Sequence, residues 1–419
     1  MTVPPQQPGI PGWTPAAPPG GHPAPAPTGP QPGSHPPGYP PAPGYPPPGY
    51  PPAPGYPPAG AAAPTDPWAA YRRAPAPPAS QRPAGPRQRW GEPSYAEPQP
   101  YHRVLRTHGY RWWRPAVGLL VMTGTFLVVS TGVTLAAVLP SLLSSPGVPT
   151  EEDLVGDLVS TPAGLLGLNL SLAVLIPAAM LGLLAGHQLR PGFLHSVLGR
   201  FRWGFLGLCL LVEGAVWLLT LPLTVLLAGD AEAVPTPGEV GALSFAQWLP
   251  FALVILLTTP LQAAGEEYGF RGYGMQALGA WVRHPAFAIG VTSLLFAFAH
   301  GGQSLPLFLD RFAFGVVAGL LTVRTGGLEA GIAFHIVNNM IILLLASAAG
   351  QLEPSLTVSQ APWGLVVADV AGMALYTAVV LWLARRRGLA TVTAATPPPA
   401  PWPPGAVAWP SANTPRPSG

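Results

Sequence analysis

The chain has 419 residues, 48% of them hydrophobic and only 9% charged, with a mean hydropathy of +0.34. So few charges cannot cover a water-facing surface of this size, because soluble domains are about a quarter charged; this excludes an ordinary soluble protein and favours a lipid-embedded one. The net charge is +3, every basic residue is an arginine, and the arginines gather in loops and tails rather than in a stripe, which argues against a nucleic-acid partner. The single cysteine, Cys209, excludes an internal disulfide and a cysteine-rich zinc site.

Residues 1–110 are rich in proline and glycine, with Pro-Gly-Tyr repeated at Tyr39, Tyr45, Tyr50 and Tyr56. Proline lacks the amide donor and glycine costs entropy, so this zone is expected to be a disordered tail, either plainly solvated or making protein contacts through tyrosine and proline. Arg72, Arg73, Arg82, Arg87 and Arg89 suit anionic lipid headgroups. The zone holds no apolar core, so no cleavable signal peptide is expected.

Residues 111–387 read as a membrane domain. Apolar runs occur near 115–139, 163–186, 204–228, 246–265, 286–300, 312–324, 328–348 and 363–384. A spanning helix needs ~20 residues, so some of these runs are short, and the fourth is expected to continue as helix towards residue 279. Residues 388–419 return to proline, alanine and threonine and are expected to form a second disordered tail. The fold class is therefore all-α: a polytopic bundle of about eight transmembrane helices, flanked by disordered proline-rich tails.

Loop charges agree with that count. Arg103, Arg106, Arg111 and Arg114 precede the first run, and Glu151, Glu152, Asp153 and Asp157 follow it. Arg190, Arg200 and Arg202 come next, then Asp230, Glu232 and Glu239, then Arg283. Arg324 and Arg385–Arg387 complete the alternation, with Asp310 and Arg311 adjacent in one ambiguous loop. Arginine on every second loop predicts an integral membrane protein, of the plasma membrane, with both termini cytoplasmic.

Ionisable groups in hydrocarbon cost roughly 2.5–3.5 kcal/mol each, so they mark interior or functional positions. They concentrate in three runs: Glu266, Glu267 and Arg271 in the fourth, His300 at the end of the fifth, and His335 with Asn338 and Asn339 in the seventh. Glu267 and Arg271 lie one helical turn apart in the favourable acid-first order and by themselves read as a structural ion pair. Glu266 points about 100° away from Glu267, and His335 and Asn339 share one helix face. If the fourth and fifth runs form a hairpin, Glu266 and His300 both lie ~20 Å from its turn. A carboxylate beside an imidazole can activate water, and a second imidazole with an amide can stabilise an oxyanion. Glu266, His300 and His335 are equally a donor set for zinc, although no His-Glu-x-x-His spacing is present. Glu213 and Asp369, lone acids in the third and eighth runs, read as satisfied interior groups.

In order along the chain, Glu-Glu-x-x-x-Arg at Glu266–Arg271, Phe-x-x-x-His at Phe296–His300 and His-x-x-x-Asn at His335–Asn339 form a set. The set resembles the CAAX protease and bacteriocin-processing family of intramembrane proteases, and within it the type II CAAX prenyl endopeptidases. The resemblance covers residues 245–348. It implies an intramembrane endopeptidase acting on a membrane-associated peptide or protein, prenylated in one branch of the family. Glu266 with His300 would activate water, His335 with Asn339 would stabilise the oxyanion, and Glu267 with Arg271 would brace the site. The family is named for metalloproteases and a metal-free glutamate mechanism suits the same residues, so zinc stays open. Two other classes also remain: a non-catalytic bacteriocin-immunity or scaffold protein, and an ion-coupled carrier, for which no internal repeat is seen.

Overall fold

A computed structural model describes residues 91–144, 150, 156, 158, 160–228 and 243–395. These belong to one compact unit. The expected disordered segments at 1–90 and 396–419 lie outside the described residues, as do Glu151, Glu152, Asp153, Asp157, Asp230, Glu232 and Glu239.

The described residues form helices and no named strand. In chain order these are α1 (Arg114–Ser144), α2 (Pro162–Ala173), α3 (Leu175–His187), the short α4 (Gly192–His195), α5 (Trp203–Ala228) and α6 (Phe245–Glu267). A π-helical segment, Tyr268–Gly274, runs on into α7 (Met275–Trp281). Then follow α8 (Pro285–Phe298), α9 (Leu305–Thr325), α10 (Glu329–Ala348), the short α11 (Leu352–Leu356) and α12 (Trp363–Arg386).

Seven stretches among the described residues are long and apolar enough to cross a membrane; α2 with α3, and α6 through α7, each count as one. The protein is an integral membrane protein. The fourth run does continue past its charges, to Trp281. The fifth run is the exception to the sequence count. Its helix α8 has 14 residues, about 21 Å of rise against a hydrocarbon core of about 30 Å. The eight apolar runs thus become seven full-length spans and one short helix that ends just before His300.

Burial ranks the helices. Over its most apolar window α10 is 56% buried, whereas α1 is 6% buried, so α10 is central and α1 peripheral. Leu120, Val128, Leu211 and Leu226 point outward, as lipid-facing side chains must. Small residues set the close contacts. A Cβ on Gly118 of α1 would lie 2.6 Å from the Gly182 carbonyl oxygen of α3, so these two backbones touch. Gly315 and Gly319 of α9 likewise lie against Ser293 and Ile289 of α8.

The ends of the bundle are tied by polar contacts. At one end, Arg202 binds Glu329 through its backbone N–H (2.8 Å), Nε (2.9 Å) and a terminal nitrogen (2.5 Å), and also donates to the Thr325 carbonyl (2.8 Å). Gly326, at φ +71°, ends α9 in the left-handed region and lets Gly327 pair with Ser196. At the other end, Trp248 Nε1 donates to Ser347 Oγ (3.1 Å) and the Ser304 N–H to the Ser359 carbonyl (2.7 Å).

The expected tail boundaries at 110 and 388 need correction. Residues 91–110 and 388–395 are part of the folded unit. Tyr95, Tyr101, Val104 and Leu105 are buried; Tyr95 donates its hydroxyl to the Val104 carbonyl (2.8 Å) and Tyr101 to that of Leu194. The Thr393 N–H donates to the Gln99 carbonyl (2.9 Å), the Gln99 N–H to Thr393 Oγ1 (3.0 Å), and Pro100 pairs with Val392. Proline content hid this segment, because a few well-spaced apolar anchors produce neither a helical period nor a long apolar run.

Candidate active site

The site is built where α6 meets α10. Gly265 lets α6 sit directly on the end of α2, since a Cβ there would lie 2.5 Å from the Leu172 carbonyl oxygen. With Gly265 committed to that contact, the next two residues turn towards α10. The helix then widens into the seven-residue π segment that carries Arg271. Such widenings recur at functional positions because they re-aim side chains within an otherwise continuous helix.

Glu267 and Arg271 are fully buried and joined at 3.0 Å. The Arg271 guanidinium also lies 4.3 Å above the Phe296 ring of α8, a cation–π contact that helps hold a charge without water. The same Glu267 oxygen, Oε1, lies 3.0 Å from Nδ1 of His335 on α10. A carboxylate can only accept, so Nδ1 carries the proton and the ring orientation is fixed. Gly331, one turn before His335, makes room for Glu267: a Cβ there would be 3.0 Å from Oε2.

His335 Nε2 faces Glu266 Oε2 at 3.7 Å, too long for a direct hydrogen bond and suited to a bridging water. The other Glu266 oxygen accepts from Gln262 Nε2 at 2.6 Å. Gln262 Oε1 in turn accepts from Asn339 Nδ2 at 3.1 Å, and Asn339 Oδ1 accepts from Asn338 Nδ2 at 3.2 Å. Two hydrogen-bonded sets, Arg271–Glu267–His335 and Glu266–Gln262–Asn339–Asn338, therefore hold five of the six candidate site residues and face each other across the 3.7 Å gap.

His300 joins the cluster by packing. Its Nδ1 donates to the Phe296 carbonyl at 2.8 Å, which leaves Nε2 to act as acceptor in the neutral ring. Phe296 lies between the two imidazoles, its ring centroid 4.7 Å from that of His300 and 5.9 Å from that of His335. Phe314 of α9 closes another side of His335, at 4.9 Å.

Gln262 was not singled out from sequence. Its signal was present: a polar residue in an apolar run, one turn before Glu266 and on the same helix face. Glu213, expected to be a satisfied interior acid, is buried on α5 with Oε2 lacking a hydrogen-bond partner among the described residues. Asp369 and Asp310 line a separate cavity of about 780 Å³ that includes none of the seven motif residues.

Among the described residues no three His, Cys, Asp or Glu side chains are disposed to hold a metal ion. Glu267 holds one ring nitrogen of His335, and Glu266 stands 3.7 Å from the other.

Residues 247–341 match the family model for Rce1-like type II CAAX prenyl endopeptidases, a stretch that contains all seven motif residues. This segment belongs to the Rce1-like CAAX protease family. The chain is also similar to the uncharacterized protein YyaK of Bacillus subtilis (strain 168), at 27% identity over 146 residues. That similarity covers 32% of this chain, and the chain spans about half the length of that curated relative (48%). No solved structure matches. The Rce1-like segment runs from α6 through most of α10, so the family likeness and the buried network occupy the same helices.

Proposed function

We propose that the Rce1-like segment is the active site of an intramembrane endopeptidase that hydrolyses a peptide bond in a membrane-associated peptide or protein. The observation that carries this reading is the gap between Glu266 Oε2 and His335 Nε2, 3.7 Å wide, with His300 and His335 both packed on Phe296. A water held there loses a proton to Glu266, with His300 as the neighbouring imidazole, while its oxygen attacks the carbonyl carbon. The resulting oxyanion takes a hydrogen bond from the Asn339 amide hydrogen not used by Gln262, while His335, whose Nδ1 proton is given to Glu267, turns its acceptor Nε2 to the water. The C–N bond then breaks as the leaving amine receives the proton. Glu267 and Arg271 hold His335 in orientation. The family's name supports a prenylated substrate as one candidate class. Arginine placement supports a plasma-membrane protein with its arginine-rich end, and both termini, in the cytoplasm.

The test is turnover of a quenched peptide library, with and without prenylated members, by the full purified chain. It runs beside Glu266→Gln and His300→Ala variants of verified folding. Loss of cleavage in both supports the reading; cleavage undiminished in Glu266→Gln refutes it. A chelator arm identifies the source of water activation. Retained turnover assigns it to carboxylate and imidazole, whereas turnover lost and restored by zinc assigns it to a metal.

A further inference from the structure

We propose that Gln262 is a positioning residue of this site, joining the base and the oxyanion donor in a one-way amide relay. The inference rests on the catalytic reading above and adds a residue that lies outside the three motifs. Gln262 is buried on α6, one turn from Glu266. Asn169, Thr258 and Thr259 form a polar cluster about one turn further back, with Asn169 Nδ2 donating to Thr258 Oγ1 (2.8 Å) and Thr259 Oγ1 (3.2 Å).

The direction of the relay follows from charge. An ionised Glu266 accepts and cannot donate, so the Gln262 group facing it at 2.6 Å must be the NH2. That leaves Gln262 Oε1 to accept, so Asn339 must present its own NH2, at 3.1 Å. Asn339 Oδ1 then faces the other way and accepts from Asn338. A single negative charge thus fixes three side-chain amides in series. Two consequences serve the reaction. Gln262 occupies Glu266 Oε1 and reserves Oε2, the oxygen that faces His335, for water. One Asn339 amide hydrogen is spent on Gln262, which aims the second at a fixed point.

Two measurements on the full chain in detergent test this. In kinetics, Gln262→Met keeps the length and removes both hydrogen bonds. A charge-assisted hydrogen bond that aligns the base predicts a fall in kcat of about 10–100-fold with KM within about 2-fold of wild type. In NMR of 15N-asparagine-labelled protein, Glu266→Gln removes the charge that orders the relay. The Asn339 side-chain signal is expected to move in that variant and to stay in place when the same change is made on a Gln262→Met background. The first of these spectra needs no change at Gln262, so a folding failure of Gln262→Met does not block the test. An Asn339 signal indifferent to Glu266→Gln overturns the relay whatever the enzyme assay gives. Unchanged kcat in Gln262→Met, with turnover abolished in Glu266→Gln, overturns the relay and leaves the proposed reaction standing. A coupled Asn339 signal without turnover of any peptide supports the relay and removes the proposed reaction.

Discussion

His335 and Glu267 meet at 3.0 Å across α10 and α6, on the same carboxylate oxygen that Arg271 reaches from one turn away. One buried oxygen thus serves two donors, and neither donor has water to fall back on. Glu267→Gln is expected to destabilise the protein by about 3–5 kcal/mol, because it leaves a buried guanidinium without its counter-charge. Adding Arg271→Met to that variant should recover much of the loss. Denaturant titration in detergent of the two single variants and the double variant gives the coupling. Strictly additive losses would show that the two charges stand independently.

Two glycines separate scaffold from site. Gly265→Ala drives a Cβ to 2.5 Å from a backbone oxygen of α2, which cannot move alone, so a drop in unfolding temperature is expected. Gly331→Ala meets only the tip of Glu267, at 3.0 Å. It should cost less stability yet lower turnover about tenfold by shifting the carboxylate that orients His335. Paired melting curves and rate measurements check the contrast, and a larger stability loss for Gly331→Ala would contradict it.

The Arg202–Glu329 pair makes a similar prediction at the bundle end. Glu329 is fully buried and begins α10, where a negative charge also suits the helix dipole. Arg202→Met strands that carboxylate and is expected to cost about 3–5 kcal/mol. Limited proteolysis between α9 and α10 should then accelerate, whereas unchanged cleavage there would mean that the pair does not secure this end.

His102 supplies a pH dependence outside the spans. Burial chiefly holds its imidazole below the usual histidine range, with the charges of Arg103 and His284 adding to the effect and a hydrogen bond to the Arg283 carbonyl opposing it. Among the described residues its Nδ1 is buried without a partner, so protonation would bury an unpaired N–H. A histidine lowered on folding binds its proton more readily in the unfolded chain, so its stabilising effect is complete above about pH 6.5 and is lost as pH falls below that. The unfolding temperature should decline from pH 6.5 downward, and less steeply in His102→Gln, which keeps a donor for the Arg283 carbonyl. Equal slopes in the two proteins would remove His102 as a source.

The Glu267–Arg271 pair was legible in sequence because helical spacing alone brings i and i+4 together. The span at 246–279 was legible because arginine, glutamate and glycine are tolerated within a helix that faces a bundle interior. Gln262 escaped because an uncharged polar residue in an apolar run acquires meaning only from what stands opposite, and Asn339 lies 77 positions away. Residues 91–110 escaped for a different reason. Tyr95 and Tyr101 find their acceptors at Val104 and Leu194, through a folded path that has no period to detect.

The contact between Gln99 and Thr393 joins positions 294 residues apart. During synthesis the earlier partner leaves the ribosome long before the later one exists. The folded segment 91–110, joined to Thr393 at Gln99, therefore stays open at that edge until the final described residues have been translated. Ribosome-stalled chains ending before residue 390 should contain every helix of the Rce1-like segment and yet lack this closure, so the described fold closes only after the whole of that segment has been made.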